Sequence, residues 1–323
     1  MALLEVRNLS VRIRQRKKIL EAVKGVSFDV HAAEIAALAG ESGGGKTLTG
    51  LSIPRLLPAA AEIAGGSVTF NSLSLDSCAE KELRGIRGKE ISMIFQEPRQ
   101  SLNPLFRIGK QITETPRLHR EKNREACRNA ALEMLAAMGF GEPEKIFRAY
   151  PHQLSLGMCQ RVMIAIAAIC KPKLLIADEP TNSLDTATQE QVLALLKQMN
   201  RDYNTAILFI THDLSALRGL CSRVMIMYAG KIIEEGPVET IFAQAAHPYT
   251  RGLINAIPCK EHRGEPLPDI AGRSSSIEEQ IPGCHFASRC PYARGRCYTT
   301  FPRRTNLDSG HTVHCFLAEA GNV

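Results

Sequence analysis

The feature that most constrains this chain is a glycine-rich run of eight residues, GESGGGKT, at positions 40–47. It fits the pattern G-x-x-x-x-G-K-[ST] in full and stands between an apolar strand pattern, Ile35 to Ala39, and a helical pattern, Lys46 to Leu57. Glycines let a backbone curl so that its N–H groups face phosphate oxygens, and the start of a helix adds a favourable dipole. This order predicts a phosphate-binding loop, although a glycine-rich turn can also merely connect two elements.

Every residue of this loop is a candidate contact for a nucleotide. Lys46 is suited to place its charge on the β- and γ-phosphates, and the Thr47 hydroxyl is suited to ligate Mg²⁺. The candidate nucleotide-binding residues are Gly40, Glu41, Ser42, Gly43, Gly44, Gly45, Lys46 and Thr47.

A second apolar strand pattern, Leu174 to Ala177, ends in two carboxylates, Asp178 and Glu179. Like charges at the end of a buried strand raise one another's pKa, so stability alone does not favour them. Asp178 is suited to hold Mg²⁺, directly or through water, and Glu179 to polarise an attacking water as a general base. Such a pair can instead cap a helix, but the phosphate loop favours the catalytic interpretation.

Strand patterns alternate with amphipathic helical patterns along the chain, which predicts an α/β core of parallel strands covered on both faces. After the acidic pair come a helix with apolar residues around Val192 to Met199 and a strand, Ala206 to Ile210. Residues 99–158 carry few strand signals and predict a helical insertion, notably Glu125 to Met138. Strands at 223–228 and 231–234 flank Ala229-Gly230 as a hairpin.

Charge and hydropathy exclude several classes of protein. A net charge of +7, from 40 Lys and Arg against 33 Asp and Glu, is too mild to favour nucleic acid as a partner. The longest apolar run, Val162 to Cys170, has nine residues, about half of what a membrane span needs. The first residues also lack the pattern of a secretory signal, so we expect a cytosolic protein.

Together these motifs resemble an ATP-binding cassette (ABC) ATPase, and more of that family's pattern follows over residues 3–258. Gln96 matches the Q-loop, which senses Mg²⁺ and the lytic water, and His212 matches the switch histidine that contacts the γ-phosphate. Residues 183–185 match the D-loop, and Leu154 to Met158 stand where the family has its LSGGQ-like signature. In this family two cassettes sandwich ATP head to tail, so the resemblance implies that Ser155 and Gly157 serve the nucleotide held by a partner's phosphate loop.

The resemblance narrows to the oligopeptide, dipeptide and nickel importer branch, on residues 96–98, 101–104 and 247–251 and on a cysteine-bearing tail. It implies an ATPase at the cytoplasmic face of the inner membrane that couples ATP hydrolysis to uptake of peptides or of nickel and other metal chelates. The implied partners are two transmembrane permease subunits, a second related cassette and, indirectly, an extracytoplasmic substrate-binding protein. The alternative is a soluble ABC ATPase that acts on nucleic acid or ribosomes.

The sequence departs from the family pattern at two places. Leu156 replaces the first glycine of the signature, where a β-carbon could hinder close approach to phosphate, and this favours a heterodimer with a second cassette. The family usually has an aromatic residue that stacks on adenine, but no aromatic residue precedes Phe28 here. Ile13 or the guanidinium of Arg14 is therefore expected to contact the adenine ring.

The family resemblance implies a fold of P-loop NTPase type, with a RecA-like core, an antiparallel β part and a helical subdomain at about 99–158. We expect the nucleotide-binding domain to cover 1–258, and a small loop-rich appendage to cover 259–323. That appendage carries Cys284, Cys290, Cys297 and Cys315. Four thiolates suit a [4Fe–4S] cluster, which some members of the branch carry; zinc, with His285, His311 or His314 as spare ligands, and free thiols are the alternatives.

Overall fold

The structure is a computed structural model that describes residues 2–15, 18–119, 123–258, 268–273, 281–308 and 310–319. Its strands are β1 (Ala2–Gln15), β2 (Lys18–His31), β3 (Ile35–Ala39), β4 (Ala61–Phe70), β5 (Leu73–Ser74), β6 (Ile91–Ile94), β7 (Leu174–Asp178), β8 (Ala206–Thr211), β9 (Arg223–Tyr228), β10 (Lys231–Pro237), β11 (Thr305–Asp308) and β12 (His311–Val313). Its helices are α1 (Lys46–Ser52), α2 (Glu80–Ile86), α3 (Pro98–Ser101), α4 (Ile108–His119), α5 (Arg124–Ala137), α6 (Pro143–Arg148), α7 (Leu156–Ala168), α8 (Thr186–Tyr203), α9 (Val238–Gln244), α10 (Pro248–Asn255), α11 (Gly295–Thr299) and α12 (Phe316–Glu319).

The chain divides into two compact units. The first contains 1–30, 35–76 and 210–323, and the second contains 31–34 and 77–209. In the first unit an antiparallel sheet has the strand order β2, β1, β4, β5. Buried and exposed residues alternate along much of β1, as is typical of an antiparallel strand with one face on the core.

The first unit also contains the strand that leads into the phosphate loop. All five residues of β3 are buried, and β3 runs parallel to β9 with Ala36 opposite Arg223. The predicted hairpin is confirmed, since β9 and β10 are antiparallel with Lys231 opposite Tyr228. Strand β12 pairs with β10, and β11 pairs with β12. The described C-terminal residues therefore extend the sheet of the unit that holds the loop, which the loop-rich composition of the appendage did not indicate.

The second unit contains the acidic strand and the helical region. Strands β6 and β7 are parallel with Ile91 opposite Leu174, and β7 is buried throughout. The Ala206 N–H at the start of β8 donates to the Lys173 carbonyl at 2.8 Å. Helices α4, α5, α6 and α7 contact one another, where the sequence predicts a helical insertion. Within the residues that the structure describes, no helix combines the length and apolarity needed to cross a bilayer.

Glu234 on β10 ties three segments of the first unit together. Its side chain is 1% exposed, and its carboxylate accepts the Ala246 N–H at 2.6 Å and the His247 N–H at 3.0 Å. The ring Nε2 of His311 on β12 donates to it at 2.9 Å. Because a carboxylate is costly to bury without such donors, Glu234 anchors both the turn before α10 and the C-terminal hairpin.

Replacing Glu234 with alanine should destabilise the protein by about 3 kcal/mol, since three buried donors on two other segments would lose their acceptor. The free energy of unfolding from urea titration measures the effect. Glu239→Ala is the matched control, because Glu239 is exposed in the first turn of α9 and its loss should cost under about 1 kcal/mol. Equal destabilisation by both variants would contradict the anchoring role.

Candidate active site

The phosphate loop follows the carboxyl end of β3 and packs closely on neighbouring backbone. A Cβ on Gly40 would lie 2.1 Å from the Met227 carbonyl oxygen, and one on Gly45 would lie 2.6 Å from the Ala22 carbonyl oxygen. Both glycines also have positive φ angles, of 147° and 98°. The glycines of the motif are thus required by close backbone approach as well as by loop conformation.

Lys46, the first residue of α1, closes the loop. Its side chain is almost fully buried, and Nζ donates to the carbonyl oxygens of Gly40 at 2.7 Å and Glu41 at 2.9 Å. No side chain caps the helix start at Gly45, and the first turn of α1 carries no acidic residue. A positive charge and a helix start without a side-chain cap therefore lie at the loop, which suits a polyphosphate.

His212, the predicted γ-phosphate contact, follows β8 in the same unit as the loop and is exposed. Arg14, one of the two residues expected at adenine, lies on β1, where Nη2 donates to Glu62 Oε2 at 2.9 Å. Both side chains of that pair are largely exposed.

The second unit brings together three predicted residues. Asp178 ends β7 and is 2% exposed, and Glu179 follows it with a φ of 45° and 7% exposure. Gln96, just after β6, donates from Nε2 to Glu179 Oε2 at 2.9 Å. The acidic pair does not cap the next helix, because α8 begins at Thr186 and is capped by Asp185, which accepts the Thr188 N–H. Two nearly buried carboxylates with an amide on one of them suit Mg²⁺ binding and activation of a water.

The signature residues form the start of α7. Ser155 is the N-cap, and its hydroxyl oxygen accepts the Met158 N–H at 3.2 Å. A Cβ on Gly157 would lie 2.6 Å from Thr188 Cγ2, so this glycine packs against the start of α8. Leu156 is half-buried and is not among the residues with positive φ, so the backbone here accommodates a β-carbon without strain.

The four predicted cysteine ligands line one cavity of about 40 Å³ in the first unit, together with His247. Burial, and then the neighbouring thiols, raise the pKa of Cys284 to about 12. In the part of the chain that the structure describes, no group of three or more His, Cys, Asp or Glu side chains is placed to hold a metal ion. His285, His311 and His314 do not line the cavity; their rings bond to Ala229, Glu234 and Pro302 respectively.

Two residues at the loop were missed by sequence reasoning about ATP. Tyr249 on α10 accepts the Glu41 N–H at 2.8 Å, and Arg289 of the C-terminal extension pairs with the Glu41 carboxylate. No local pattern connects either one with the loop, because they lie 208 and 248 residues from Glu41 along the chain.

The fold and these two sets of residues define a P-loop ATPase of the ATP-binding cassette class. The ABC transporter family model matches residues 23–182, and the model of the oligopeptide/dipeptide transporter C-terminal region matches residues 233–297. The chain belongs to the ABC transporter family of ATP-binding proteins.

Relatives of known name match over almost the whole chain. The oligopeptide transport ATP-binding protein AppD of Bacillus subtilis is 45% identical over 98% of this chain and 97% of its own length. The dipeptide transport ATP-binding protein DppD of the same organism is 42% identical, with 98% and 95% covered. The oligopeptide transport ATP-binding protein OppD of Escherichia coli is 41% identical, with 98% and 93% covered. The resemblance predicted from the motifs is confirmed.

A solved structure has the same cassette fold. The ATP-binding cassette MJ0796, in a dimeric post-hydrolysis state bound to ADP and Pi, superposes with a TM-score of 0.66 at 27% identity. The match covers 73% of this chain and 98% of that one. The predicted α/β cassette fold and the ATPase class are therefore confirmed.

Proposed function

We propose that this chain is the ATP-hydrolysing subunit of an importer that takes up peptides, acting at the cytoplasmic face of the membrane. The observation that carries this proposal is the match over nearly full length to relatives named for oligopeptide and dipeptide transport. Those names favour peptides over nickel or other metal chelates as cargo. The proposed partners are two permease subunits and, indirectly, an extracytoplasmic substrate-binding protein.

We assign the chemistry to residues as the motifs predict. Lys46 and the loop N–H groups bind phosphate, Thr47 and Asp178 hold Mg²⁺, and Glu179 polarises the lytic water. Gln96 senses Mg²⁺ and water, and its contact with Glu179 supports this role. His212 contacts the γ-phosphate, and its exposure leaves it accessible to a ligand.

The region after Gln96 is proposed to meet the permeases. Large apolar side chains are exposed there, with Leu105 at 80% and Leu118 at 73%, and Phe106 is also exposed. Exposed apolar side chains close together in sequence are typical of a surface that another protein covers.

We propose a nucleotide-binding domain at 1–258, with the helical subdomain at about 99–158, and a C-terminal extension at 259–323. The family-model match to the C-terminal region, at 233–297, supports a separate extension in sequence. Strand β12 nevertheless adds to the sheet of the cassette, so the extension is expected to fold with it.

Glu179→Gln should bind ATP with a dissociation constant within about twofold of wild type but lower turnover by at least about 100-fold, because the amide cannot accept a proton from water. ATP binding and phosphate release measure the two effects. Glu190→Gln, on the exposed face of α8, is the matched control and should leave both unchanged. Near-normal hydrolysis in Glu179→Gln would contradict the assigned role.

The same pair of variants tests the transport function in cells that carry the permeases and lack the native ATPase. Uptake of labelled di- and oligopeptides should require wild type or Glu190→Gln and stop with Glu179→Gln. Uptake of nickel that depends on the chain, without peptide uptake, would overturn the proposed cargo.

We propose a second, related cassette as partner. The departure at Leu156 supports this, because each signature serves the nucleotide held on the opposite chain. The site built on Lys46 would use the partner's signature, while the site served by Leu156 would be slow.

The chain alone should therefore turn over ATP slowly and without cooperativity, and addition of a related cassette with an intact signature should raise turnover per chain by about tenfold or more. Steady-state ATPase rates against ATP concentration give both quantities. Leu156→Gly is the informative variant, since it should raise the activity of the chain alone. Full, cooperative turnover by the unmodified chain would rule out the need for a different partner.

We keep the [4Fe–4S] cluster as a proposal for Cys284, Cys290, Cys297 and Cys315. Its support is that all four thiols line one cavity; as placed, they do not form a metal site, so they would have to move inward. Burial raises the pKa of Cys284, Cys290 and Cys315, and a cluster would supply the charge that stabilises the thiolates.

Anaerobically purified protein should be brown and carry about four irons and four acid-labile sulfides per chain. Cys297→Ser should lose both, whereas Cys78→Ser, at a buried cysteine of the second unit, should keep them. Protein that contains zinc but no acid-labile sulfide would contradict the cluster and support a zinc site. Metal-free protein with four titratable thiols would contradict both metal sites.

A further inference from the structure

Arg289 belongs to a short 3-10 turn, Ala287–Arg289, in the C-terminal extension, and its side chain reaches the phosphate loop. Its Nη1 donates to Glu41 Oε2 at 2.8 Å and its Nη2 to Glu41 Oε1 at 3.1 Å. Each terminal nitrogen of the guanidinium thus donates to a different carboxylate oxygen, which is the strong, directional form of this ion pair. The Arg289 side chain is 6% exposed and that of Glu41 is 28% exposed.

The guanidinium of Arg289 is held independently of Glu41. Its Nε donates to the Ala271 carbonyl at 3.1 Å, its Nη2 to the Ile270 carbonyl at 3.0 Å, and its Nη1 to the Tyr228 hydroxyl at 3.3 Å. The ring of Phe286 also lies 5.8 Å from the guanidinium carbon. Because these partners fix the fork in place, Arg289 positions Glu41 rather than the reverse.

Glu41 is restrained through its backbone as well. The buried hydroxyl of Tyr249 accepts its N–H, and Lys46 Nζ donates to its carbonyl. Burial raises the pKa of Tyr249, so this hydroxyl stays neutral. The ring of Tyr249 packs against Tyr228 at 4.6 Å and against Phe286 at 5.4 Å between centroids. The second residue of the loop is therefore held by its side chain, its N–H and its carbonyl.

We propose that Arg289 is a positioning residue for ATP binding, which holds the first turn of the phosphate loop through Glu41 before the nucleotide arrives. A loop held in its binding conformation has less entropy to lose when phosphate binds, so its affinity is higher. The C-terminal extension thereby contributes to the nucleotide site of its own chain. This inference rests on the proposed function of the loop as an ATP site.

The test is a double-mutant cycle on the full chain. Arg289→Gln and Glu41→Gln should each raise the ATP dissociation constant by about tenfold, and the double variant should be no weaker than the weaker single variant. Arg289→Lys, which keeps the charge but loses the fork, should lie between wild type and Arg289→Gln. Arg303→Gln, at an exposed arginine of the same extension, is the matched control and should bind as wild type.

Kinetics separate positioning from a general structural role. At saturating ATP, kcat of Arg289→Gln should stay within about twofold of wild type while KM rises, because bound phosphate still organises the loop. Wild-type affinity in Arg289→Gln, additive effects in the double variant, or a lower kcat at unchanged KM would overturn the inference. Failure of the wild-type chain to bind ATP would instead overturn the proposed function.

Discussion

The structure depends on the close approach of the phosphate loop to the backbone around it. Gly40 lies against the Met227 carbonyl at the end of β9, and Gly45 lies against the Ala22 carbonyl on β2, so a side chain at either place would push the loop away. This contact places the loop at the carboxyl end of the buried strand β3, where the start of α1 and Lys46 supply positive charge. The glycines at positions 40 and 45 are therefore needed for backbone packing as much as for phosphate binding.

The end of the acidic strand β7 places two carboxylates where burial destabilises their charged form. Asp178 and Glu179 are nearly buried at the end of β7, and Gln96 Nε2 donates to the Glu179 carboxylate. A stable fold has little use for such a pair, whereas a site for a metal ion and a water needs it. In the same unit Ser155 caps α7. The family resemblance also predicts that Ser155 faces a partner's nucleotide.

The C-terminal extension belongs physically to the unit that contains the loop. Strand β12 continues the sheet on β10, His311 of β12 donates to the buried Glu234 on β10, and Arg289 pairs with Glu41. The C-terminal extension therefore contributes two strands, a hydrogen bond to a buried carboxylate and an ion pair to the unit that contains the loop. The described parts of this extension are short and poor in periodic apolar residues, so their order comes from these contacts with the larger sheet.

The sequence by itself determined the α/β class, the phosphate loop, the acidic strand end and the family, because each is written in local periodicity or in a motif of a few adjacent residues. It also predicted β3, β7 and α5 to within one residue and the presence of a helix at α8, although α1 ends at Ser52 and not near Leu57. Only the tertiary structure decided that Asp185 caps α8, that the tail forms a hairpin on β10, and that Arg289 reaches Glu41. The hairpin and the Arg289–Glu41 pair join residues that are far apart in the chain, so no local pattern predicts them. The cap of α8 could have come from more than one nearby acidic residue, and tertiary packing decides which one it is.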